Sequence, residues 1–276
     1  MDGHQMPAAA AALTLRYGAG AEPKAGPWSD TIALMLSHRS VRGYAPDAPP
    51  PGTLETLVAA AQSAATSSNL QTWSVVAVDR PETRAELAAI AGNQKHIEQC
   101  PIFLVFLADV SRNGRLASQE GTELAGMPYL ESFLVAAIDA ALAAQNAVVA
   151  AESLGLSTVY IGALRNDVTR VAGLLGLPPG ATPVFGLCVG YAAPGREGEV
   201  KPRLPQAAVL HRETYDADDQ GHRAAYDPRM AEFSRRNEMA GDTWTKRVIA
   251  RLGTMKALNG RDRLKEKLIA LGFPLK

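Results

Sequence analysis

The chain has 276 residues, 47% hydrophobic and 20% charged, which is the composition of a soluble globular protein with length for one large core or two small ones. Its 28 basic and 28 acidic side chains cancel, so the broad electrostatic footprint of a general nucleic-acid binder is excluded and any cationic cluster must act locally, on a small anionic ligand. Two cysteines, Cys100 and Cys188, cannot make a disulfide framework, and five scattered histidines leave no metal site to argue; a reducing cytoplasm is the expected setting.

Residues 1–27, rich in Ala, Gly and Pro, read as a loosely ordered arm with one short helical stretch, Ala8–Tyr17. The apolar run Ala8–Leu13 has neither the basic flank nor the cleavage pattern of a signal peptide. Trp28–His38 has apolar residues at helical spacing and is the first firm helix. The proline-rich stretch 46–52 forces a turn, after which Thr53 is expected to cap a helix over Leu54–Ala65. Thr72–Asp79 is predicted as a strand buried on both faces, Pro81–Ala91 as a helix with proline in its first turn, and Ile102–Asp109 as a second buried strand.

Residues 111–129 look like a polar, glycine-containing loop. Glu131–Leu154 is predicted as the longest helix, apolar nearly all round and closed by Gly155 in a left-handed conformation. Asp139, Gln145, Asn146 and Glu152 make it too polar to span a membrane, so it reads as a core helix. Two further strands, Thr158–Ala163 and Pro183–Tyr191, flank a short helix Val168–Leu175, capped by Asn166 or Asp167 and ended by Pro178-Pro179-Gly180. Residues 192–221 are irregular, and 223–271 are helical in two or three pieces. This order predicts an α+β fold around one sheet.

No nucleophile elbow, phosphate-binding P-loop, zinc-binding HExxH or dinucleotide GxGxxG is present. Five small polar clusters stand beside the predicted elements instead: HRSVRGY (38–44), TSSNLQTWS (66–74), GNQKH (92–96), VYIGALRN (159–166) and KPRLP (201–205). The first places two guanidiniums, an imidazole and a hydroxyl within five residues; arginine's planar fork suits phosphate oxygens or the polar edge of a heteroaromatic ring, and it stays charged at any physiological pH. Taken singly, each cluster also fits a solvated turn or helix end.

Together, in this order and spacing over about residues 28–205, the five clusters resemble the nitroreductase superfamily, and KPRLP its oxygen-insensitive NADPH nitroreductase and flavin reductase P branch. The resemblance implies a mostly antiparallel central sheet flanked by helices, with the long alanine-rich helix at a homodimer interface. It also implies an N-terminal arm over 1–27, an FMN-binding core over 28–205 and a helical extension over 206–276 within the same domain. FMN would take electrons from NADPH, with NADH as the alternative donor, and pass them in ping-pong fashion to a nitroaromatic, a quinone or free flavin.

The motifs carry over residue by residue. His38, Arg39 and Ser40, with Lys201 and Arg203, would hold the FMN phosphate. Arg42 would face the N1/O2 edge of the ring and tune it. Ser67, Ser68 and Asn69, from the partner subunit, would line the ribityl chain, and Gln94 the N3/O4 edge. The backbone at Tyr160, Ile161, Gly162 and Ala163 would lie near N5, with Arg165 at the phosphate or ribityl end. Arg235 and Arg236 are the expected holders of the NADPH 2′-phosphate. No side chain is expected as a catalytic acid or base. Asn69 and Thr72-Trp73 depart from the commonest pattern, which bears on the acceptor and not on the flavin. Rival readings are another flavin reaction on this fold, such as dehalogenation, flavin destruction or ene reduction, and a non-catalytic FMN-binding protein.

Overall fold

The computed structural model describes residues 5–240 and 242–276, in two compact units. The second unit, Ser40–Glu197 with Leu258–Lys276, contains the sheet. Its strands are β1 (Trp73–Ala77), β2 (Ile102–Asp109), β3 (Ser157–Ile161) and β4 (Ala181–Gly190), in the order β1-β2-β4-β3 with every pair antiparallel. Its helices are α3 (Thr53–Gln62), α4 (Pro81–Ile90), α5 (His96–Gln99), α6 (Ser111–Gln119), α7 (Leu130–Ser153), α8 (Val168–Leu175) and α11 (Leu264–Ala270). The first unit, formed by 1–39 and Gly198–Ala257, holds α1 (Gln5–Tyr17), α2 (Asp30–Ser37), α9 (His222–Arg236) and α10 (Trp244–Leu252).

Side-chain alternation along β2 explains the layering of the second unit. Leu104 and Phe106 join Leu57 and Ala61 of α3 and Ala140, Ala143 and Ala147 of α7 in one buried cluster. Phe103, Val105 and Leu107 point the other way, toward Leu87 of α4, Leu164 and Val171 of α8. The small residues of α7 bring its axis close to the sheet, and Gly155 closes the helix at φ 74°. By length and composition this helix could also cross a membrane, with a mean hydropathy of 1.7. In the first unit, Tyr226, Met230 and Phe233 of α9 pack against Leu204, Met239 and Trp244.

Several local expectations need correction. Thr53 does not cap α3: Gly52 is the N-cap at φ 85°, and the Thr53 hydroxyl donates to Pro50 O at 2.6 Å. β1 is buried fully only at Trp73, because Ser74–Val76 are half-buried and Ala77 is exposed. Residues 111–129 are not all loop. Asp109 Oδ1 accepts from the backbone N–H of Ser111 at 2.9 Å and from its hydroxyl at 2.6 Å, which starts α6 despite Gly114. Asp167 caps α8, accepting from Arg170 N at 3.4 Å, and Gly176 ends it at φ 63°, before the prolines are reached. The N-terminal helix begins at Gln5, and Ala9, Leu13 and Arg16 on it are buried.

Gly186 of β4 lies against the Phe103 ring of the neighbouring strand β2 and close to Leu164. A Cβ there would stand 2.7 Å from the ring of the fully buried Phe103 and 3.2 Å from Leu164. Gly186→Ala is therefore expected to lower stability by about 2 kcal/mol through overpacking. The shift of the urea midpoint at unchanged m-value measures it, and an unshifted midpoint would show that the Phe103 ring moves aside without strain.

Candidate functional site

In the first unit, two of the sequence clusters meet on one buried guanidinium. Arg16, in the last turn of α1 and 5% exposed, donates through Nη2 to Leu36 O at 2.6 Å and His38 O at 3.0 Å. Through Nη1 it donates to Lys201 O at 2.7 Å, and its own carbonyl accepts from Arg203 N at 2.9 Å. The end of α2 thus gains partners for carbonyls left over by the helix, and the Lys201–Arg203 segment is held beside it. Tyr226 adds a bond from its hydroxyl to Pro202 O at 2.8 Å, and Lys201 Nζ lies 5.7 Å from the centre of the Phe233 ring. Around this anchor, His38 and Lys201 are half-buried, and Arg39 and Arg203 are exposed. Among the described residues, the Arg203 guanidinium donates only within its own segment, at 3.3 Å to Lys201 O and 3.4 Å to Pro202 O.

Arg235 and Arg236, at the end of α9, are engaged by acids. Arg236 places Nη2 at 2.9 Å and Nε at 3.1 Å from Glu199 Oε2, and Nη1 at 3.1 Å from Glu232 Oε1; Arg235 pairs with Glu232. The Arg236 guanidinium, with help from Asn237, holds the Glu199 carboxyl below the usual carboxylate range.

The remaining clusters belong to the second unit. Ser40 forms a parallel bridge with Thr158 of β3, Val41 N donates to Thr158 O at 3.0 Å, and the buried Tyr44 hydroxyl donates to Val41 O at 3.0 Å. Arg42 is exposed between these two anchors, with Nη1 only 3.5 Å from Ser40 O. Near it lies His96, 9% exposed, whose buried Nε2 has no partner among the described residues. Burial first, and the Arg42 charge second, push the His96 imidazole below its ordinary pKa, so it is neutral at neutral pH. Gln94 donates from Nε2 to Ala91 O at 2.8 Å.

Residues 67–72 are held in an unusual shape: Ser68, Asn69 and Gln71 have φ of 48°, 54° and 51°, in the left-handed region that side chains other than glycine avoid. The buried carboxyl of Asp139 on α7, 1% exposed, holds both ends of the segment. It accepts from Ser67 N at 3.1 Å, Thr72 N at 3.2 Å and the Thr72 hydroxyl at 2.9 Å. Arg112 of α6 ties it from another side, to Gln71 O at 3.0 Å and the Ser74 hydroxyl at 3.1 Å. An open cavity of about 1180 Å³ lies alongside, lined by Thr66, Asn69, Gln71, Ser74, Arg112 and Arg115 among others.

At the end of β3, Tyr160 meets the Phe185 ring edge-on with centres 4.9 Å apart, and Ile161 is buried. The space over Gly162 is taken by Arg165: a Cβ on Gly162 would stand 3.2 Å from Nη2, while Nη1 donates to Val184 O. The expected phosphate residues therefore gather around Arg16 as far as His38, Arg39, Lys201 and Arg203, and Ser40 and Arg42 follow directly in the chain on the second unit. Arg16 and Asp139 were not among the expected site residues. The available signal was a charged residue interrupting an alanine-rich apolar run in each helix, Arg16 after Ala8–Leu15 and Asp139 between Phe133–Ile138 and Ala140–Ala144.

Residues 35–191 match the family model described as "Nitroreductase family", and residues 201–276 match its C-terminal domain. The chain is 38% identical over 245 residues to an FMN reductase (NADPH) of Bacillus subtilis, covering 87% of this chain and 98% of that protein. It is 37% identical over 222 residues to an oxygen-insensitive NADPH nitroreductase of Salmonella typhimurium, covering 80% and 90%. Among solved structures, B. megaterium NfrA2 superposes with a TM-score of 0.84 at 39% identity, over 90% of this chain and all of that one. The NADPH:FMN oxidoreductase of Vibrio harveyi in complex with NAD+ superposes with a TM-score of 0.80 at 33% identity, again over 90% and 100%.

Proposed function

The chain belongs to the nitroreductase family, and from that premise we propose that it is an FMN-dependent NAD(P)H oxidoreductase that reduces free flavin, nitroaromatics or quinones. The observation that carries the reading is the meeting of His38 and Lys201 on Arg16, with their carbonyls 3.0 Å and 2.7 Å from one guanidinium. That arrangement puts an imidazole, an ammonium and the Arg39 and Arg203 guanidiniums on one unit, the donor chemistry a phosphate monoester requires. The residues present therefore fit FMN. When bound, FMN supplies two-electron transfer from the nicotinamide to the acceptor.

His38, Arg39, Ser40, Lys201 and Arg203 hold the phosphate in this reading. Arg42 keeps a fixed positive charge beside the N1/O2 edge of the ring, and the neutral His96 leaves that charge undiminished and adds none of its own. Ser67, Ser68 and Asn69 of the partner subunit line the ribityl chain, their strained backbone held for that task by Asp139. Gln94 meets the N3/O4 edge, and the backbone of Tyr160–Ala163 lies along the ring. Arg165 stands at the β3 end of the same site. NADPH is the donor, and Arg235 and Arg236 take its 2′-phosphate in exchange for Glu199 and Glu232. An FMN reductase and a nitroreductase among the relatives favour this reaction over dehalogenation, flavin destruction, ene reduction or silent FMN binding.

A homodimer accounts for one further feature of α7. Leu130, Leu134, Ile138 and Leu142, four residues apart along one stripe, are 54%, 50%, 48% and 44% exposed. Ile138→Asp is expected to convert the dimer to a monomer in light scattering after gel filtration, since a charge placed in an apolar seam opposes association. A dimer unchanged by the substitution would place the interface elsewhere. The two buried thiols, Cys100 and Cys188, accord with a cytoplasmic enzyme. Steady-state kinetics with NADPH and NADH test the reaction: parallel lines in a double-reciprocal plot, with a larger kcat/KM for NADPH, are expected. Intersecting lines would rule out the ping-pong order.

A further inference from the structure

The geometry points to Arg16 as a positioning residue that sets the phosphate-binding cations in place, an inference that rests on the FMN reading above. The helix carrying it, α1, lies before residue 35, where the match to the family model begins.

A guanidinium 5% exposed is costly to bury unless its donors are satisfied. Arg16 satisfies them with backbone carbonyls drawn from two segments remote in sequence: Leu36 and His38 at the end of α2, and Lys201 in the KPRLP run. The return bond from Arg203 N to Arg16 O makes the link two-way. Because these contacts are to the main chain, they fix the backbone positions of His38, Lys201 and Arg203. The C-terminal end of α1 is itself held: Arg229 Nη1 donates to Tyr17 O at 2.5 Å and its side chain packs over Gly18, at φ 85°. Arg16 acts through the cradle and not on the ligand. Its planar fork reaches three carbonyls at once, which an ammonium does not do in one geometry.

This arrangement predicts that Arg16 governs recognition of the phosphate and leaves recognition of the ring alone. The full-length protein, stripped of flavin, is titrated with FMN and with riboflavin, which lacks the phosphate, and binding is read from quenching of flavin fluorescence. Wild type is expected to prefer FMN by about a hundredfold, the worth of two or so charge-assisted hydrogen bonds. In Arg16→Gln that preference falls about tenfold while riboflavin affinity holds within about twofold, as loss of preorganisation predicts. Arg16→Lys recovers part of the preference. Equal weakening toward both flavins, or an unchanged preference, overturns the role of Arg16. If Arg16→Gln shows no cooperative melt, Arg16→Lys alone decides, and a preference equal to wild type overturns the inference. Wild type that binds neither flavin would instead sink the FMN reading itself.

Discussion

Replacing Asp139 by alanine is expected to destabilise the protein by about 3–5 kcal/mol, the range seen when one partner of a buried polar network is removed. Its carboxyl is 1% exposed and is the shared acceptor of two backbone N–H groups and one hydroxyl at the ends of the segment 67–72. Water does not replace it at Thr72, which is itself buried. The same three bonds restrain Ser68, Asn69 and Gln71 in left-handed backbone, so the segment relaxes toward ordinary φ once they are gone. Asp139→Asn is expected to cost less, because one oxygen still accepts, although its amide then faces a donor. Urea unfolding measures both, and a loss below 1 kcal/mol for the alanine variant would show that the segment keeps its shape without α7.

The second large effect is expected at Arg42. Arg42→Ala should slow the bleaching of bound FMN by NADPH about 10²–10³-fold, the usual effect of removing a preorganised charge from the place where charge develops. FMN affinity should stay within about tenfold, because the phosphate cations remain in place. An independent readout is available at His96. Its pKa is lowered by burial and then by Arg42, so the alanine variant raises it toward, but not to, its ordinary value. Imidazole NMR titration follows this, and an unmoved His96 would show that the two groups do not sense each other. Stopped-flow bleaching as fast as wild type would remove the electronic role assigned to Arg42.

Legibility differed between residues for a physical reason. β2 was readable because it is buried on both faces and its letters are continuously apolar, and α8 because Asp167 is a side-chain cap. α7 was readable from its composition and from Gly155. The misread stretch, α6, is polar, contains Gly114 and buries only Ser111 and Ala117, so no apolar stripe announces it. Its start depends on Asp109, a side chain at the end of the preceding strand. Within the site, the cationic letters were visible as clusters, while the two residues that hold the clusters, Arg16 and Asp139, were not. Both work on main-chain groups. A backbone carbonyl or N–H leaves no letter in the sequence, so only the folded chain discloses which one a buried charge has found.

The central claim, that this chain uses FMN to move electrons from a nicotinamide to an aromatic acceptor, is tested most directly by the visible absorbance of the purified protein under nitrogen. The account predicts a yellow protein that NADPH bleaches and a nitroaromatic then recolours. A protein that stays colourless after incubation with FMN, or a yellow one that neither NADPH nor NADH bleaches, would contradict it.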